Sequence, residues 1–87
     1  MQTLISAFTA YLQFEKRYSN HTVQAYQHDL EQFFLFVKSQ FGEMLIHQVS
    51  HIHIRSWLAQ IKELEISSKS INRKISTLKS FYKFLFL

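Results

Sequence analysis

The sequence predicts an all-α fold, a compact four-helix bundle, and three observations carry that prediction. The chain of 87 residues has one Gly and no Pro, so the two strongest interrupters of regular structure are nearly absent. Apolar residues recur at three- and four-residue spacing in four separate stretches. Between those stretches stand Ser, Asn and the single Gly, the residue types at which helices begin and end. With 47% apolar residues and nine Phe, the composition offers a small chain the dense core that it needs.

The first helix is expected from about Gln2 to Lys16, with Thr3 as N-cap and Leu4, Ile5, Phe8, Tyr11 and Leu12 as its apolar stripe. The Arg17–Asn20 stretch interrupts the pattern, and Ser19 or Asn20 can cap a second helix running to about Gln40. Its stripe is Val23, Tyr26, Leu30, Phe33, Phe34 and Val37, and Gly42 stands where a C-terminal stop belongs. A linking stretch with Leu45, Ile46 and Val49 leads to Ser50, which can cap a third helix with stripe Ile54, Trp57, Leu58 and Ile61. Ser67 or Ser68 opens the fourth, whose stripe is Ile71, Ile75, Leu78, Tyr82 and Leu85. Residues 1–87 are read as one domain, too short to divide. The absence of Cys excludes disulfides and thiolate metal sites. Neither a signal-type leader nor an apolar run of membrane-spanning length is visible, so a cytoplasmic chain with no membrane partner is expected.

Charge is distributed unevenly. Residues 1–65 carry Lys16, Arg17, Lys38, Arg55 and Lys62 against all six acids, a net −1. Residues 66–87 carry Lys69, Arg73, Lys74, Lys79 and Lys83 with no acid, a net +5. Such one-sided placement is the usual footprint of a polyanion partner. On a helical wheel Lys69, Asn72, Arg73, Ser76, Lys79, Ser80 and Lys83 fall on the side away from the apolar stripe. Cations there can neutralise phosphates, while Ser and Asn can bond phosphates or base edges without bulk. An ordinary solvated helix would interleave acids at i, i+4 for mutual support, and this one forgoes it. The start of the second helix offers another surface, with His21, Gln24 and His28 off the stripe and Ser19, Asn20 and Thr22 at the cap. Capping alone and phosphate binding at the helix N-terminus both account for that stretch.

The segment Ser67-Ser68-Lys69-Ser70-Ile71-Asn72-Arg73-Lys74-Ile75-Ser76-Thr77-Leu78-Lys79-Ser80-Phe81-Tyr82-Lys83-Phe84-Leu85 resembles the last core-binding helix of Xer-type tyrosine recombinases and phage integrases. Ser19-Asn20-His21-Thr22 with Tyr26, Asp29-Leu30, Phe33 and Phe36 resembles the family's second helix. Val49-Ser50 with Ile54-Arg55 and Trp57-Leu58 resembles its third. The resemblance implies a SAM-like core-binding domain that forms the amino-terminal half of a clamp on duplex DNA. A separate catalytic domain, absent from this chain, would form the other half, and neighbouring recombinase protomers on DNA would be further partners. It implies DNA contacts from Lys69, Asn72, Arg73, Ser76, Lys79 and Lys83 on the fourth helix and from His21, Thr22 and Gln24 on the second. Two positions depart from the family pattern: Glu65 stands where a Gly is common, and His21 where an Asn is common.

Catalysis is not expected of this chain. The family's chemistry requires a His-x-x-Arg element, further cations and a Tyr nucleophile, and no His-x-x-Arg occurs here. Tyr11, Tyr26 and Tyr82 lie on core stripes and Tyr18 in a connection. The apolar ending through Phe84, Phe86 and Leu87 predicts a truncated chain. No cofactor is expected, and His47, His51 and His53 are read as ordinary histidines, because no Cys or acid beside them completes a metal site. Leu35, Phe36, Phe81 and Phe84 either complete the core or face a partner. The competing function is a helical protein-interaction module with a basic face for an acidic partner. A helix-turn-helix regulator is disfavoured, since no short Gly-containing turn joins adjoining helices. Five neutralised phosphates would give a log–log salt slope of about −4 to −5. Ala at Arg73 or Lys79 is expected to weaken DNA binding without changing the melting temperature.

Overall fold

In the computed structural model, which describes residues 2–64 and 66–86, four helices pack around one core. They are α1 (Gln2–Phe14), α2 (Asn20–Phe41), α3 (His51–Glu63) and α4 (Ser68–Leu85), with a single 3₁₀ turn at Ile46–Gln48. No strand occurs among the described residues. Glu65 and Leu87, both singled out in the sequence, lie outside the described residues.

α2 organises the bundle, because α1, α3 and α4 all pack against it. Its 22 residues present Val23, Leu30, Phe33 and Val37 to the interior from one side of the helix. α1 contributes Ile5, Phe8 and Leu12, and α3 contributes Trp57 and Ile61. Aromatic rings meet edge to face across the centre: Phe8 on Phe81 at 5.3 Å, Phe33 on Trp57 at 5.2 Å and Phe34 on Phe81 at 5.8 Å between centroids. Such pairs add about 0.5–1.5 kcal/mol each beyond the area they bury. Phe36, Phe81 and Phe84 therefore belong to the core, whereas Leu35 stands outside it, 69% exposed.

Local chemistry sets the ends. Ser19 caps α2, its hydroxyl accepting from the Thr22 N–H at 3.3 Å. Gly42 stops the helix at φ +82°, a left-handed angle costly for a side chain, and donates its N–H to the Lys38 carbonyl at 3.0 Å. Ser67 caps α4 in the same manner as Ser19 caps α2, accepting from Ser70 N–H at 3.2 Å. At α3 the expected Ser50 cap is reached differently: the Ser50 N–H donates to His53 Nδ1 at 2.9 Å, which fixes that imidazole as an acceptor. Thr3 does not cap α1, since the helix already includes Gln2. α1 also ends two residues before the expected Lys16. Arg17 adopts φ +57°, and the Tyr18 N–H turns back to the Leu12 carbonyl at 3.0 Å, closing the helix without a Gly.

Candidate nucleic-acid interface

α4 is a continuous helix, and Lys69, Asn72, Ser76, Lys79 and Lys83 are all exposed on it. The row from Lys69 to Lys83 covers about 21 Å at 1.5 Å per residue. Among the described residues, no acid other than Asp29 comes within ion-pair distance of an α4 cation, and the remaining ion pair is Lys38 with Glu43 on the surface.

Two of the five basic residues turn to α2 instead of solvent, Lys74 wholly and Arg73 in part. Lys74 is only 4% exposed and Arg73 has 40% of its side chain exposed, because both turn to Asp29 of α2. Asp29 is 1% exposed and has four bonds. Arg73 grips it with Nε to Oδ2 at 3.0 Å and Nη2 to Oδ1 at 2.8 Å. Lys74 Nζ donates to Oδ1 at 2.9 Å and to Gln32 Oε1 at 2.6 Å, and lies 5.6 Å from the centre of the Trp57 ring. Thr77 Oγ1 lies 3.0 Å from Oδ2 and 2.9 Å from the Arg73 carbonyl, so one hydroxyl proton is shared between them. Burial pushes the Asp29 carboxyl up, but the hydrogen bonds from Arg73, Lys74 and Thr77 and the Lys74 charge outweigh it. The group is held below its ordinary value. The same pairing raises Arg73 further above its already high value.

This network turns α4 away from the orientation its apolar stripe predicts. The buried residues are Lys74, Thr77, Leu78 and Phe81, while Ile71, Ile75, Tyr82 and Leu85 are only partly buried. The buried face is rotated by roughly 70° from the centre of the apolar stripe. An anion inside α2 draws the Arg73–Lys74–Thr77 edge of α4 inward. The sequence carried a signal for it: Asp29 lies at helical spacing from Tyr26 and Phe33, and Lys74 from Ile71 and Leu78. A charge on an apolar stripe must find a partner.

At the start of α2, His21 and Gln24 are exposed and Thr22 half-buried. The Thr22 hydroxyl lies 3.0 Å from the Ser19 hydroxyl, which occupies it in the cap. Seven residues, about 10 Å along the axis, separate Thr22 from Asp29. Tyr26 lies between them and feels both charges; burial raises its hydroxyl first, with Tyr18 and Asp29 adding and Arg73 opposing. Among the described residues, no group of three or more metal-ligating side chains gathers, and no helix is long and apolar enough to cross a membrane. The Tyr82 hydroxyl is buried without a partner among the described residues, and burial pushes it up to about 12.

Comparison with known proteins gives a consistent answer. Residues 5–87 match the family of phage integrase N-terminal SAM-like domains. The chain is 43% identical over 81 residues to a tyrosine recombinase XerC of Anoxybacillus flavithermus, covering 93% of this chain and 27% of that protein. It is 44% identical over 85 residues to the XerC of Oceanobacillus iheyensis (98% and 28%) and 41% over 91 to that of Rickettsia typhi (98% and 29%). The chain thus spans little more than a quarter of the curated relatives it matches. No solved structure matches it. A four-helix fold, a family match over nearly its whole length and relatives of one kind make this chain a member of the phage integrase N-terminal SAM-like domain family, of the kind found in Xer-type tyrosine recombinases.

Proposed function

We propose that the chain binds duplex DNA through the exposed face of α4, as the amino-terminal half of a two-part clamp in a site-specific tyrosine recombinase. The catalytic domain would lie elsewhere in a longer protein, and this chain would cleave nothing by itself. The observation that carries the reading is the row of Lys69, Lys79 and Lys83 with Asn72 and Ser76, exposed on one helix face that no acid covers among the described residues. Lys and Arg release counterions from phosphates, and small polar side chains let the helix approach a groove. The family relationship supports the same reading, since the relatives are named tyrosine recombinases.

Lys74 is buried, so its charge is withheld from any ligand, and Arg73 shares its charge with Asp29. Three to four phosphates are therefore neutralised rather than five, and the slope of log affinity against log salt becomes roughly −3 to −4. Fluorescence anisotropy with a labelled duplex in a salt series measures it. A flat salt response, or unchanged affinity after Lys69, Lys79 and Lys83 are together replaced by Ala, would refute the reading. His21, Thr22 and Gln24 are assigned the flank of the same footprint. Replacing His21 and Gln24 with Ala should weaken binding less than loss of the lysine row.

A further inference from the structure

We propose that Asp29 is a positioning residue for DNA recognition: it fixes the Arg73 guanidinium so that its free edge meets a backbone phosphate. The inference rests on the DNA-binding reading above. Asp29 occupies the Nε–Nη2 edge of Arg73 with both carboxylate oxygens, at 3.0 and 2.8 Å. The guanidinium plane is thereby set by a carboxylate that is itself 1% exposed and held by Lys74 and Thr77. Nη1 has no hydrogen bond among the described residues, and 40% of the side chain is exposed beside Asn72, Lys69 and Ser76. Three N–H bonds remain for an outside acceptor, and two of them, one on Nη1 and one on Nη2, form the parallel fork that suits two phosphate oxygens. A free Arg must give up much of its rotameric freedom when it binds, whereas this one is already ordered.

The proposal makes a prediction opposite in sign to simple electrostatics. Asp29→Asn removes an anion from beneath the basic face and raises the net charge from +4 to +5. By Coulomb attraction alone, DNA should bind more tightly. If Asp29 acts by holding Arg73, DNA should bind about 3- to 10-fold more weakly, with the salt slope smaller in magnitude by about 0.9 as one phosphate contact is lost. Arg73→Lys keeps the charge, cannot reproduce the two-pronged grip, and should lose the same factor. The Asp29→Asn/Arg73→Ala double variant should bind no more than about twofold more weakly than Arg73→Ala alone, because residues acting through one contact are not additive.

The test is anisotropy on the 87-residue chain with a short fluorescein-labelled duplex of mixed sequence. Each variant is first checked for helicity by circular dichroism at the assay temperature. If Asp29→Asn is unfolded there, Arg73→Lys decides the matter. Tighter or equal binding by folded Asp29→Asn, unchanged binding by Arg73→Lys, or losses that multiply in the double variant would each overturn the positioning role. If the unaltered chain binds, and Ala at Lys69, Lys79 and Lys83 weakens it, the DNA-binding reading stands whatever Asp29 does. If the unaltered chain shows no salt-sensitive binding, both fall together.

Discussion

The two edges of α4 carry the same residue type to opposite ends. Lys79 projects into solvent, while Lys74, five residues earlier, is 4% exposed and bonded to Asp29 and Gln32. One edge is a candidate ligand surface and the other is part of the interior. The difference comes from α2: where a buried carboxylate faces the helix, cations turn inward to neutralise it, because an unpaired buried charge costs several kcal/mol. Where no acid faces it, cations stay hydrated. A basic residue becomes an exposed candidate contact or a structural tie according to what lies opposite, and its own sequence neighbourhood does not decide which.

The hardest test of that contrast is Asp29→Ala. It leaves Lys74 buried without its anion, and breaking such a pair from one side costs about 3–5 kcal/mol. That is a large part of what a small domain possesses. We expect a chain largely unfolded at 37 °C, measured by thermal melting; a melting temperature within a few degrees of the parent would show the seam to be unimportant. The pH dependence follows from the same group. Asp29 has its carboxyl lowered in the folded state from the ordinary 3.8, so its contribution is fully present above that value and lost as pH falls through the lower folded value. Acid melts should steepen below about pH 4, and Asp29→Asn should remove that part of the loss.

The two lysines give a smaller but cleaner comparison. Lys74→Ala empties a buried position and leaves Asp29 to Arg73 and Thr77, at a cost of about 2 kcal/mol. Lys79→Ala should change stability by less than about 0.5 kcal/mol and act on DNA affinity alone. Equal melting temperatures for the two variants would erase the distinction between the edges. Arg73, expected from the sequence to be a pure surface residue, falls between them, and its Ala variant should lower both stability and affinity. At the smallest scale, Tyr82→Phe removes a buried hydroxyl that has no partner among the described residues, and should stabilise the chain by about 1 kcal/mol. Burial holds that hydroxyl up at about 12 against an ordinary 10.0, so the parent loses stability as pH rises from 10 to 12, where the unfolded chain ionises and the folded one does not. Tyr82→Phe should therefore retain more stability than the parent across that alkaline range, and identical alkaline melts would count against the assignment.

Much of this was legible in advance. The four helices follow from periodicity over long stretches, and the Ser19, Gly42 and Ser67 boundaries from cap chemistry. Thr3 and the expected Lys16 end failed because a cap-forming residue type also fits inside a helix, and because Arg17 accepted a left-handed angle usually left to Gly. Within the candidate site, the wheel identified Lys69, Asn72, Ser76, Lys79 and Lys83 as outward-facing. It misjudged the depth of Arg73 and gave Asp29 no role, because it treats a helix as if it packed against nothing polar.

The amino-acid order alone determined four amphipathic helices, a phenylalanine-rich interior and a cationic final quarter, since each depends on spacing along the chain. Tertiary packing decided which way the last helix faces. The partners Asp29 and Arg73 stand 44 residues apart, and only folding around α2 brings them to hydrogen-bonding distance. Local periodicity cannot anticipate a long-range ion pair, because its energy exists only once both ends leave water together.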